Sequence, residues 1–67
     1  MRLRKLREGR RPVKSQHVTS QLCGLSRDAL RRYEREEAEP RLDALVAIAE
    51  YYGVTVDFLL GREEKNL

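Results

Sequence analysis

The sequence predicts an all-α domain of five short helices, and three observations carry that expectation. The 67 residues include no Trp, one Phe and two Pro, and no stretch alternates apolar and polar residues as a half-buried strand does. Apolar residues recur at helical spacing instead, most clearly at Leu42, Leu45, Ile48, Ala49 and Tyr52. Gly or Pro closes each such stretch, at Gly9, Pro12, Gly24, Pro40, Gly53 and Gly61. A chain of this length can build one small core. A single domain is therefore expected over residues 1–61, followed by a charged tail over 62–67.

The first helix carries Leu3 and Leu6 and ends at Gly9, with Pro12 close behind. Arg10 to Lys14 then forms a basic connector. Ser15 is the expected N-cap of a second helix that turns Val18, Leu22 and Cys23 to one side. Gly24 ends it, because a sharp turn there needs a left-handed φ, and Leu25 and Ser26 supply an apolar turn residue and the next N-cap. In the third helix Ala29, Leu30 and Tyr33 share a sector of about 100°, while Asp28, Arg31 and Arg35 point away and Arg27 and Arg32 flank them. The acidic loop Glu36 to Pro40 leads to the fourth helix, whose Leu42, Leu45, Ile48, Ala49 and Tyr52 face the core. Gly53 stops it, and Thr55 caps a fifth helix, Val56 to Leu60, that ends at Gly61.

Charge is distributed unevenly along these elements. Residues 1–35 hold eleven Lys or Arg against three acids, a net +8, whereas residues 36–67 hold three against eight, a net −5. Such polarity predicts a positive face suited to a polyanion. The stretch LSRDALRRYERE, from Leu25, concentrates it: Arg27, Arg31 and Arg35 follow at four-residue steps, and like charges at that spacing repel. A polyanion opposite the ladder would relieve the repulsion.

Other classes of function fare poorly. A lone Cys23 permits neither an internal disulfide nor a cysteine-cluster zinc site, so a reducing, cytoplasmic setting is expected. The basic start is followed by no apolar h-region, and the longest apolar run, Leu45 to Ala49, is too short to span a bilayer. Cys23 and His17 lie about 240° apart on one helix and cannot act as nucleophile and base. His17 reads as a surface residue within reach of a phosphate. No enzyme activity, cofactor, metal or membrane partner is expected.

Two short helices joined through a glycine turn make a helix-turn-helix unit, whose second helix enters the major groove of DNA N-terminus first. The third helix occupies that place. Leu6-Arg7, Ser15-Gln16, Gly24-Leu25-Ser26-Arg27, Arg32-Tyr33-Glu34-Arg35, Glu39-Pro40, Leu42, Leu45 and the closing GVTVDFLLG from Gly53 stand in an order and spacing that resembles the phage Cro and repressor type of helix-turn-helix, the XRE family. The resemblance covers nearly the whole chain. It implies a lambda-repressor-like fold, with Gln16 and nearby amides gripping phosphate and Arg27, Asp28, Arg31 and Arg32 reaching base edges. It also implies a buried ion pair between Arg7 and Glu34, with Arg35 and Arg41 close to the DNA backbone. Four features depart from the family pattern: Thr19 at an aliphatic core position, Ser20 in place of Ala, a connector about two residues longer, and Arg41 at the N-cap of helix four.

The chemistry of the residues points the same way. Arginine can donate two hydrogen bonds to guanine O6 and N7, which makes Arg27 and Arg31 the best base readers. Asp28 either accepts from cytosine N4 or bridges to Arg32 four residues on. Arg10, Arg11 and Lys14 add phosphate affinity without sequence information, and Ser26 joins the phosphate-binding set at the helix start. The expected function is a sequence-specific transcriptional regulator, a repressor of prophage or bacterial origin that occludes a promoter. It would dimerise through helix five, with Tyr51, Val56 or Phe58, or on DNA half-sites. The rival expectation is a protein-interaction module, such as an antitoxin, that uses the same fold on an acidic protein.

Overall fold

In the computed structural model, residues 1–62 are described, and the tail expected over 62–67 lies outside them except for Arg62. Five helices follow in order: α1 (Leu3–Gly9), α2 (Gln16–Leu22), α3 (Ala29–Glu34), α4 (Leu42–Tyr52) and α5 (Val56–Leu60). The all-α reading is correct, with no strand among the described residues. Leu3, Leu30, Ile48, Ala49, Tyr52 and Leu59 form the core, and Leu6, Cys23, Leu25, Tyr33, Leu45, Val54 and Val56 pack around it. Every helix but α2 gives it a fully apolar contact.

The helix ends follow the sequence signals where a local bond fixes them. Ser15 Oγ accepts from the N–H of Val18 and Thr55 Oγ1 from that of Phe58, so the caps of α2 and α5 are as expected. Gly24, Gly53 and Gly61 all have left-handed φ, near +70°. Each closes a pair of bonds back onto the preceding turn, such as Gly24 N–H to Gln21 and Leu25 N–H to Ser20.

Three expectations about packing and helix starts are overturned. Val18 and Leu22 do not face inward; Leu22 is 52% exposed, and Thr19 and Ser20 are buried in their place. The reason is close approach: α2 crosses α3 where the small Ser20 accepts a hydrogen bond from the N–H of Leu30 at 2.9 Å. Leu42 is 71% exposed, because it lies about 120° around the axis from Ile48, the centre of the buried face. Finally, Ser26 does not cap α3 with its side chain. The helix starts at Ala29 after Asp28, and no side chain of its own segment caps it. Ser20, reaching across from α2, satisfies a first-turn amide that Ser26 was expected to help cover.

Candidate nucleic-acid interface

The late start of α3 redistributes the arginines. Arg27 and Asp28 stand in the turn before the helix, tied by an Ala29 N–H bond to the Ser26 carbonyl, and only Arg31, Arg32 and Arg35 belong to α3 or its cap. The side of α3 bearing Ala29 and Leu30 is buried, whereas Ser26, Arg27, Asp28, Arg32 and Arg35 are exposed. The helix is anchored by one side and displays the other.

The four-residue ladder is therefore not a helical ladder at its first rung, and its other two rungs find an anion within the chain. Glu37 accepts an ion pair from Arg35 Nε at 3.2 Å and lies 4.0 Å from Arg31 Nη1. The repulsion that called for an external polyanion is thus partly offset locally. Glu37 is two residues beyond Arg35 and six beyond Arg31, which is no helical repeat, so periodicity gave no sign of it.

Arg27 also has a partner that sequence reasoning missed. Its Nε donates to Nδ1 of His17, 3.0 Å away in the first turn of α2. The two residues are ten apart in sequence and meet only because α2 and α3 cross. Asp28 and Arg32 form no ion pair among the described residues, so the bridging reading of Asp28 fails. Ser26, Arg32 and Arg41 line one open depression together with Glu39 and Asp43. Arg41 stands at the N-cap of α4 without a side-chain capping bond, as its residue type implies.

Behind this surface, Arg7 and Glu34 meet. Arg7 donates from Nε and Nη2 to the two oxygens of Glu34, at 2.9 and 3.0 Å, and from Nη1 to the carbonyl of Lys14 at 3.2 Å. Gln16 Nε2 adds a third bond to Glu34, at 2.8 Å, which leaves one amide hydrogen for another acceptor. The Glu34 side chain has 0% exposure and that of Arg7 12%. Burial works to raise the Glu34 carboxyl, but the bonds from Arg7 and Gln16 outweigh it and hold the group below its ordinary range. The bond to Glu34 in turn raises Arg7. The Arg7–Glu34 pair, with Gln16 and the Lys14 carbonyl, thus ties α1, the connector, α2 and α3 together.

The connector is only partly available to a ligand. Arg10, though exposed, donates to the Tyr52 carbonyl at 2.7 Å and lies over the Tyr52 ring, so its guanidinium is engaged at the C-terminal end of α4. Arg11 bonds the carbonyls of Glu8 and Arg10. Lys14 is half-buried and borders a cleft of about 280 Å³ with Arg10, Arg11, Tyr51 and Tyr52. Burial pushes the Cys23 thiol up, the behaviour of a packing residue and not of a reactive one. No cluster of metal-binding side chains occurs among the described residues, and none of their helices is long and apolar enough to cross a membrane.

Two short helices, crossed through a left-handed glycine turn with the second displaying arginines, define a helix-turn-helix domain. The chain belongs to the Helix-turn-helix family, whose pattern matches residues 3–59. It is 37% identical over 60 residues to the uncharacterized HTH-type transcriptional regulator YobD of Bacillus subtilis strain 168, a match covering 90% of this chain and 52% of that protein. The chain spans about half the length of this relative. No solved structure matches it.

Proposed function

We propose that this chain is the DNA-binding part of a transcriptional regulator, in which α3 and the turn before it read the major groove. Arg27, Asp28, Arg31 and Arg32 contact base edges, with Asp28 accepting from cytosine N4. Lys14, Gln16, Ser26, Arg35 and Arg41 hold the phosphates, and the Arg7–Glu34 pair keeps α2 and α3 at their crossing. The observation that carries this reading is the exposure of Arg27 and Asp28 in the turn before α3 and of Arg32 on α3, while the side of that helix bearing Ala29 and Leu30 is locked in the core. The relative's description as a transcriptional regulator supports it.

Within that reading, the regulator is of bacterial or prophage origin and works in the cytoplasm as a repressor, by covering a promoter. Two copies sit on half-sites one helical turn apart, joined through α5 or only on DNA. Selection from a random duplex library, followed by fluorescence anisotropy on the enriched sequence, tests the core of the proposal. A preference of about a thousandfold over bulk DNA is expected of a specific reader. Binding without preference would sink it, and a co-purifying acidic protein would favour an interaction module.

A further inference from the structure

Arg27 has no carboxylate partner among the described residues, yet its guanidinium is held at one point, by Nε, on the imidazole of His17. We propose that His17 is a positioning residue for base recognition: it tethers Arg27 by Nε and so presents the Nη1/Nη2 edge of the guanidinium to guanine. The inference rests on the DNA-binding reading above.

A guanidinium can span two acceptors with either its side edge, Nε and Nη2, or its end edge, Nη1 and Nη2. Both edges are in use in principle, and Arg7 uses the side edge on Glu34 in this same molecule. At Arg27 the bond to His17 occupies Nε, and the end edge alone retains two parallel donors for O6 and N7. The tether selects an edge.

It also prepares the side chain before DNA arrives. A surface arginine gives up rotamer freedom when it binds, and a side chain already held in place gives up less. His17 belongs to α2 and Arg27 to the turn before α3, so the bond is made only when the two helices are correctly crossed. An Nδ1 that accepts carries no proton, so the imidazole proton resides on Nε2. That is a measurable signature of the tether in the DNA-free protein.

The experiment has two arms. Long-range ¹⁵N–¹H correlation on the intact free chain should show His17 as the Nε2–H tautomer; the Nδ1–H tautomer would overturn the tether. In the second arm, library selection compares the wild type with His17→Gln, whose side-chain oxygen can still accept, and His17→Phe, a ring that cannot. His17→Phe should lose about threefold to tenfold in preference at one guanine with little change toward bulk DNA, and His17→Gln should retain it. Sequence preference that persists in His17→Phe, or is lost alike in both variants, overturns the positioning role alone. Absence of preference in the wild type overturns the DNA-binding reading and the role with it, whatever the tautomer.

Discussion

Glu34 accepts three hydrogen bonds on two oxygens from residues of α1 and α2, and its side chain has no exposed surface. Removing one partner of such a pair strands the other charge, so Glu34→Ala or Arg7→Ala should each lower stability by about 3 kcal/mol or more in denaturant titration. Arg7→Met combined with Glu34→Leu should recover much of that loss, because no charge is left buried. The pH dependence follows from the sign of the shift. The Glu34 carboxyl is held below its ordinary range when folded, so the stability it contributes is present above the unfolded value and is lost as pH falls through the folded one. Thermal melts should show an acid limb that Glu34→Gln removes. Tyr52 behaves in the opposite sense: burial, with a smaller contribution from Cys23, pushes it up to about 12. Its contribution is intact below an ordinary tyrosine pKa of about 10 and lost as pH rises from there through about 12, a limb that Tyr52→Phe should flatten.

At the scale of elements, four helices end with the same pair of backward bonds, but α3 uses a different residue to make the turn. Glu36 has φ +59°, with its N–H bonded to Tyr33 and that of Glu37 to Arg32. A side chain in the left-handed region costs about 1 kcal/mol, partly offset by the extra freedom glycine has when unfolded. Glu36→Gly should therefore raise stability by about 0.5 kcal/mol, and Gly24→Ala, the reverse change at φ +76°, should lower it by about as much. A shift of the urea midpoint without a change in slope would confirm both. The same elements show where sequence is legible. Gly24, Gly53, Gly61, Ser15 and Thr55 act through bonds spanning three to five residues, and each of those helix ends was readable. The start of α3 was not, since its first-turn amide is satisfied by Ser20, ten residues back, and no local pattern encodes that bond. Val18 and Leu22 misled for a related reason. Apolar spacing identifies a helix face, but the close crossing at Ser20 decides which face of α2 is turned inward.

For the whole molecule, the half-chain charges of +8 and −5 overstate the free positive surface. Arg7 is committed to Glu34, Arg10 to the end of α4, and Arg35 with Arg31 to Glu37. The candidate site was legible as a set of exposed arginines on and before α3, whereas the partners that limit them, His17 and Glu37, depend on the folded arrangement. These internal partners set the expected salt dependence under the proposed function. If Lys14, Arg35 and Arg41 are the cations that replace counterions, log K against log salt should fall with a slope of about −3, and Lys14→Ala should reduce it by about 1 for every sequence alike. Under that function Glu37 would act against this term, since Arg35 would have to leave it to reach a phosphate and its own charge would repel that phosphate. The Glu37 pairs are exposed on both sides, so Glu37→Gln should change stability by less than about 0.5 kcal/mol. It should nevertheless raise DNA affinity about threefold to tenfold at low salt, on specific and bulk sequences together, because the gain is electrostatic and not base readout. Anisotropy titrations at several salt concentrations separate the two: a gain that vanishes as salt rises fits a released phosphate contact by Arg35, and a gain confined to one sequence would instead trace to Arg31, the proposed base reader that Glu37 also pairs.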